Sequence, residues 1–505
     1  MEILNSLFTW IMKKRIHQIE LFMKYPHDVQ DEWFQHLISA AEATEWGKKY
    51  DYKGILTPQE FKNRVPISDY DSMKPFIDRM IKGEQNILWP TDIKWFAKSS
   101  GTTSDRSKFI PVSVEALEEC HYQGGKDMLS IFCHNRPENR IFNGKTIVIG
   151  GSSQINNLNP DSYYGDLSSI LIRNLPFWAE FKRTPNLEVT LNPNFEEKIE
   201  QIAQITIKED VTSLAGVPTW NIVMAKRVLE ITGKDNLLEI WPNLEFYSHG
   251  GVSFKPYKDQ FKQLIPSDNM YYIENYNASE GYFGIQDQSD SEDLLLMLDY
   301  GIYYEFLPVE NNEEEHPDTL ELHEIEIGKN YALIISTNAG LWRYKIGDTI
   351  KFTSKSPYRF QISGRTKQYI NTFGEEVIVD NAEHALQVAC RETQSLIRDY
   401  TAGPVYFDNK KAGAHEWIIE FEKQPSDFVL FSEILDRTLR EINSDYDAKR
   451  FKNMALNPPI IHVAPQETFY KWMKSRGKLG GQNKVPRLSN NREYLDPLLA
   501  LLRAK

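Results

Sequence analysis

Residues 210–229 read DVTSLAGVPTWNIVMAKRVL. The first seven are a short β-branched run closed by a glycine, the composition of a buried strand. Pro218 then suits the first turn of a helix, and Ile222, Val223, Ala225, Val228 and Leu229 follow at helical spacing. A buried strand feeding a helix is the repeating step of an α/β fold. Similar strands stand at 145–151, KTIVIGG, and at 330–337, NYALIIST.

Before these strands, the chain to about Pro90 reads as helical. Thr57, Pro58 and Glu60 form a capping box with proline at the first helical position. Pro66 ends that helix, and Ser68 is placed to cap the next. The N-terminal stretch predicts an amphipathic helix with Leu4, Leu7, Phe8 and Ile11 on its apolar face. Its basic cluster, Lys13, Lys14 and Arg15, follows the apolar residues, the reverse of a secretory signal. The acidic run at 310–318, ENNEEEHPD, reads as a solvated loop between strands.

A second unit begins near residue 366. Helical spacing over 381–394, strands near 404–407 and 416–422, a helix over 427–442, a strand at 459–464 and a helix from about Gln466 give an αββαβ order. That order closes as a small α+β layer. The expected organisation is a large N-terminal α/β domain, 1–365, and a smaller mobile α+β domain, 366–505.

Composition narrows the function. Hydrophobic residues are 41% of the 505 and charged residues 26%, an ordinary globular balance. The net charge is 58 − 71 = −13, which argues against a nucleic-acid partner and makes any phosphate site a local exception. Cys120, Cys133 and Cys390 are widely spaced, with no CxxC pair. They suit a reducing cytoplasm better than a disulfide framework or a thiolate zinc site. No apolar run reaches the roughly 18 residues of a membrane span.

Five segments could carry chemistry. Residues 98–108, KSSGTTSDRSK, concentrate hydroxyls and backbone donors around one glycine with a lysine at each end, a composition able to wrap phosphate oxygens. The Walker A pattern is absent, and composition alone favours a polar surface loop. In 275–281, NYNASEG, Ser279 directly precedes Glu280, pairing a phosphate contact with a magnesium ligand. In 341–349, LWRYKIGDT, Asp348 at a strand end is either a turn residue or a carboxylate for ribose hydroxyls. Residues 363–377, SGRTKQYINTFGEEV, read as a hairpin at the domain boundary, and 477–487, GKLGGQNKVPR, as a flexible loop. Signatures of zinc proteases, serine hydrolases and dinucleotide binders are missing. His249, in SHGG, is the one histidine whose setting draws attention, and a structural role is the commoner one for such a residue.

Taken in order, SSGTT…K, SHGG, YNASEG, WRYKIGD, GRTKQYINTFGEEV and GQNKVPR resemble the motif series of the adenylate-forming superfamily. The N-terminal helices, the SSGTT loop, ASEGYFG and QNKVPR are most similar to the auxin-responsive-promoter family of acyl acid–amido synthetases. The resemblance covers nearly the whole chain. It implies that Ser99, Ser100, Gly101, Thr102, Thr103 and Lys108 form the phosphate loop. It also implies that Gly250 and Gly251 pass beside adenine and that Tyr276 stacks on it. Ser279 would touch the α-phosphate, Glu280 hold magnesium, and Asp348 bind the ribose. Arg365 would sit at the ribose–phosphate side near the hinge, and Lys484 on the small domain would bridge carboxylate and α-phosphate. Two positions depart from the family pattern. Ser104-Asp105 stand where plant members usually have a glycine, and Lys367 stands where many acyl-CoA synthetases have aspartate.

The implied activity uses ATP and Mg2+ to activate a small carboxylic acid as its acyl adenylate and passes the acyl group to an amino acid. Rival readings are an acyl-CoA synthetase, with CoA as acceptor, and an inactive adenylate-binding protein. The acid, the acceptor and the oligomeric state are open at this level. Aromatic residues such as Tyr122, Phe132, Tyr163, Trp178 and Trp220 serve equally as core or as pocket wall.

Overall fold

The computed structural model describes residues 2–99, 108–150, 156–159, 162–175, 177–252, 254, 257–312, 314, 316–365, 369–407, 412–453, 455–476 and 485–503. Among them an 11-stranded sheet organises the large unit. Arg183–Thr184, Lys145–Val148, Val211–Ala215, Phe246–Gly250 and Tyr271–Ala278 run parallel. Parallel neighbours need long crossovers. The helices Phe195–Thr206, Pro218–Thr232 and Lys258–Leu264 lie on those connections. Beyond Tyr271–Ala278 each strand is antiparallel to its neighbour. The order there is Gly281–Ile285, Leu294–Leu296, Tyr358–Arg365, Tyr344–Lys355, Asn330–Thr337 and Ile302–Pro308. Register shifts in the pairings of Tyr344–Lys355 bend this half. Its inner aromatics, Phe283, Tyr304, Phe306, Phe352 and Phe360, all bury completely or nearly so.

A second sheet of four strands orders Lys108–Val112, Trp95–Ser99, Ser162–Gly165 and Asn156–Asn159. The smaller unit follows the expected αββαβ order: Val379–Thr393, Leu396–Val405, Ala414–Lys423, Phe428–Ile442 and Ile460–Ala464. The helices Ser444–Arg450 and Leu495–Arg503 are additions that the sequence pattern did not separate. This unit packs on the parallel half of the large sheet through one apolar cluster that includes Leu214, Ile222, Tyr247, Phe373, Leu386 and Trp417. Two hydrogen bonds cross the same seam, from Tyr257 Oη to Thr372 O at 2.6 Å and from Thr219 Oγ1 to Phe373 O at 3.3 Å.

Several local expectations hold, and three are corrected. The Thr57–Glu60 capping box forms in both directions. The next helix, however, is capped by Asp69 in a reciprocal bond with Ser72. Ser68 instead donates to Trp342 O at 2.6 Å and bridges to Tyr344. The helix Glu2–Lys24 buries Met12, Ile16, Ile19 and Phe22, whereas Leu7 and Ile11 are exposed. Its first turns pack through Phe8 on Phe142 and through Asn5, which bonds Asn139 O and the Phe142 N–H, so the buried face of the helix starts later than the apolar pattern suggests. Asp348 sits inside the 12-residue strand Tyr344–Lys355 rather than at a strand end.

The helical N-terminal region is tied to the sheet by a buried ion pair. Arg343 and Glu305 are 4% and 0% exposed, and the guanidinium reaches Glu305 Oε1 at 2.8 Å and Oε2 at 3.0 Å. It also donates to Val65 O at 2.7 Å and Lys62 O at 3.0 Å, closing the end of helix Pro58–Arg64. Removing the cation would leave a carboxylate stranded in the core, which typically costs about 3–5 kcal/mol. Arg343→Met is therefore expected to lower the unfolding free energy in urea by about that amount. The double variant Arg343→Met, Glu305→Leu should recover at least half of the loss. A loss under about 1 kcal/mol, as for surface pairs, would contradict this.

Candidate active site

The carboxyl ends of parallel strands are where open α/β sheets bind ligands. Here those ends are residues 148–150, 215–217, 250–252 and 278–280, and they open on one cavity of about 1720 Å³. Gly250, Gly251, Tyr276, Ser279, Glu280 and Asp348 all line it. Lys98 and Lys108 line it from the four-stranded sheet. The register explains why both lysines arrive together. Ser99 pairs with Lys108 across an antiparallel ladder, so the two ends of the hydroxyl-rich segment are held at one point. Residues 100–107, including Ser100, Gly101, Thr102, Thr103, Ser104 and Asp105, lie outside the described residues, as do Lys367 and Lys484. Lys108 is buried with its ammonium 5.7 Å above the Tyr70 ring.

Gly250 is dictated by the adjoining strand. A Cβ there would stand 2.5 Å from Asn275 O and 2.7 Å from its Oδ1, so any side chain would prise two parallel strands apart. Ser279 and Glu280 form the turn between Tyr271–Ala278 and Gly281–Ile285, with Ala278 paired to Gly281. The tight hairpin aims both side chains at the cavity.

Asp348 is 6% exposed, and its Oδ2 accepts the Tyr276 hydroxyl at 2.6 Å. The Tyr276 ring rests against Phe283 and Phe360, 5.0 and 6.2 Å between centroids. Asp348 is also the cross-strand partner of Arg365, so the ladder brings the ribose candidate and the hinge candidate side by side. The neighbouring Gly364 lines the cavity as well.

Two histidines on the wall are neutral at physiological pH. Burial pushes His249 down to about 3 and His121 down to about 4. His249 stacks on Phe254 at 4.0 Å, in keeping with a structural part. His121 ends a π-helical stretch, Ala116–His121, that no residue pattern announced. Sequence reasoning also missed Asp445 and Lys449, which reach the wall from the smaller unit. No motif marks the stretch SDYDAKR in which they stand. Of the aromatics considered for a pocket, Tyr122 and Trp220 line the cavity. Phe132 instead packs on Phe246 at 4.4 Å, and Tyr163 packs on Trp95 at 5.1 Å. The Trp178 side chain is outside the described set.

Residues 477–484 lie outside the described residues, and the chain is anchored directly beyond position 484. Thr401 Oγ1 donates to Pro486 O at 2.6 Å, and Ala402 N donates to Arg487 O at 2.8 Å. Pro486 and Leu488 line the cavity. Arg487 turns away, pairing with Asp399 and stacking over Tyr400.

Comparison with known proteins agrees with this architecture. A solved acyl acid amido synthetase, AtGH3.15 in complex with 2,4-DB, superposes with a TM-score of 0.63 at 17% identity, covering 97% of this chain and 96% of that one. An indole-3-acetic acid-amido synthetase of Arabidopsis thaliana, GH3.4, is 24% identical, covering 97% of this chain and 93% of the relative. A jasmonoyl–L-amino acid synthetase of Nicotiana attenuata, JAR6, is 24% identical, covering 94% and 93%. The GH3 family N-terminal domain matches residues 15–270, the central domain 295–365 and the C-terminal domain 380–493. With all three domains present in order over most of its length, the chain belongs to the GH3 family.

Proposed function

We propose that this protein is an ATP-dependent acyl acid–amido synthetase, an adenylate-forming ligase. It activates a carboxylic acid as the acyl adenylate and transfers the acyl group to an amino acid, with release of pyrophosphate and AMP. The observation that carries this reading is the convergence of Lys108, Gly250, Gly251, Tyr276, Ser279 and Asp348 on one cavity in a chain of this family. The similarity to an indole-3-acetic acid-amido synthetase and to a jasmonoyl–L-amino acid synthetase supports it.

In the first half-reaction a substrate carboxylate oxygen attacks the α-phosphorus, and the bond to pyrophosphate breaks. Charge develops on phosphate oxygens, so the protein's part is to place fixed donors and cations there. We assign Ser99, Ser100, Gly101, Thr102, Thr103 and Lys108 to the triphosphate and Ser279 to the α-phosphate. Gly250, Gly251 and the Tyr276 ring take the adenine. Asp348 takes the ribose hydroxyls, with its orientation set by the Tyr276 hydroxyl.

The donor set fits magnesium carried in on the nucleotide. Among the described residues there is no cluster of three acidic, histidine or cysteine side chains able to cage a metal. Magnesium on a nucleotide needs only one or two carboxylates beside the phosphates, and Glu280 at the hairpin turn supplies one. Bound there, the ion would neutralise phosphate charge.

In the second half the amine nitrogen attacks the acyl carbon and AMP departs. We place the boundary of a mobile small domain after Arg365, dividing the chain into 1–365 and 366–505, so that Lys484 acts in adenylation and then withdraws. The three free thiols suit a reducing compartment and support a cytoplasmic location. No helix among the described residues is long and apolar enough to cross a membrane.

Carboxylate-dependent exchange of pyrophosphate into ATP across a panel from acetate to indole-3-acetate tests the activation step. Mass spectrometry of the product separates an amide from a CoA thioester. Asp348→Ala is expected to raise the KM for ATP at least about tenfold without changing the circular dichroism spectrum, since hydrogen bonds to a charged group are worth about 1.5–3 kcal/mol. An unaltered KM would remove Asp348 from the ribose site. Lys484→Ala should slow adenylation by a factor on the order of 10²–10³, the usual cost of one lost transition-state donor. It should spare amide formation from a supplied acyl adenylate. Normal exchange by this variant would refute the assignment of Lys484.

A further inference from the structure

The short helix Ser444–Arg450 places two opposite charges, Asp445 and Lys449, one turn apart on the cavity wall. Lys449 is 3% exposed, and its ammonium lies 4.4 Å over the Trp220 ring. Among the described residues its ammonium makes no hydrogen bond, and the carboxylate of Asp445, which is half-buried, accepts none. The two feel each other electrostatically without closing an ion pair. A buried ammonium and a carboxylate held apart lose hydration without the gain of pairing, an arrangement that a ligand carrying both complementary charges relieves. The only small molecule in the proposed reaction with a cation and an anion two bonds apart is the zwitterionic amino acid. Gly374 lines the same wall, and a Cβ there would stand 3.3 Å from Lys449 Cε.

We propose that Asp445 and Lys449 form the acceptor subsite, with Lys449 holding the α-carboxylate of the amino acid and Asp445 its α-ammonium. The inference rests on the amide-forming reading above and assigns residues to its second half. Asp445 takes one proton from the ammonium, freeing the nitrogen lone pair. The C–N bond then forms, the acyl C–O bond to phosphate breaks, and AMP leaves with that electron pair. The nitrogen's second proton passes to water. Burial pushes Asp445 up to about 7, a range suited to a base working at neutral pH. The other charges that face it are Asp166 and Glu376, which raise it further, and Lys449 and Lys98, which oppose that. Around Lys449 stand Glu375, Glu376 and Asp166. Glu375 is committed to His415 at 2.7 Å, and Lys198 faces the group from the large unit. Because both residues belong to the smaller unit, the subsite travels with the element that the second half-reaction requires.

The test separates the two half-reactions. Pyrophosphate exchange with the acid panel reads activation. Amide formation with an amino acid, with its carboxamide and with hydroxylamine reads transfer. Lys449→Met should raise the KM for the amino acid at least tenfold more than it affects exchange. It should also erase the preference for the amino acid over its carboxamide, and Lys449→Arg should restore that preference. Asp445→Asn should lower kcat with the amino acid and remove the fall in transfer rate below about pH 7. Hydroxylamine, largely uncharged at neutral pH, should still be acylated. If Lys449→Met fails to fold, the pH profile of Asp445→Asn decides alone. Unchanged acceptor KM and selectivity, or exchange and transfer falling in proportion, would overturn the subsite while leaving the ligase reading intact. A wild-type protein that exchanges with no acid would bring down both.

Discussion

A hydrogen bond of 2.6 Å joins Tyr276 to Asp348, although three strands separate theirs in the sheet order. In a flat sheet four strand spacings would hold them about 19 Å apart. The bond therefore requires the antiparallel half to curl back over the end of the parallel half. Bulges in Tyr344–Lys355 and the packed aromatics inside the curl make that bend. Everything proposed for the nucleotide site depends on this closure. It brings a carboxylate from one end of the sheet to the hairpin that carries Ser279 and Glu280.

The cavity also reconciles a chain of net charge −13 with a polyanionic substrate. Lys98 and Lys108 come together at the base of the hairpin and supply the positive charge proposed for the phosphates. Acidic surface elsewhere does not matter at this range, because charges beyond about 8 Å are screened at physiological ionic strength. The local field is set by which side chains the fold collects, not by their total.

Sequence legibility followed the range of the interactions involved. The strand at 330–337 and the reciprocal cap at Thr57 and Glu60 were readable because pattern and capping act over a few neighbours. The face of the first helix was misread because burial of Met12 and Ile16 depends on partners more than a hundred residues away. Ser68 was misread for the same reason, since a carbonyl at Trp342 outcompetes the local cap. Asp445 and Lys449 left no trace in the pattern, because a charged pair one turn apart looks the same on a solvated helix as on a cavity wall.

The sequence by itself determined the alternation of strands and helices and the identity of the motifs. These rest on side-chain periodicity, turn chemistry and residue type, which the chain carries locally. Only the tertiary structure decided that Lys108, Gly250, Ser279 and Asp348 share one cavity, and that Tyr276 orients Asp348. Such convergence is set by strand order and by the curl of the sheet. Those arise from pairing between segments far apart in the chain, for which no local signal exists.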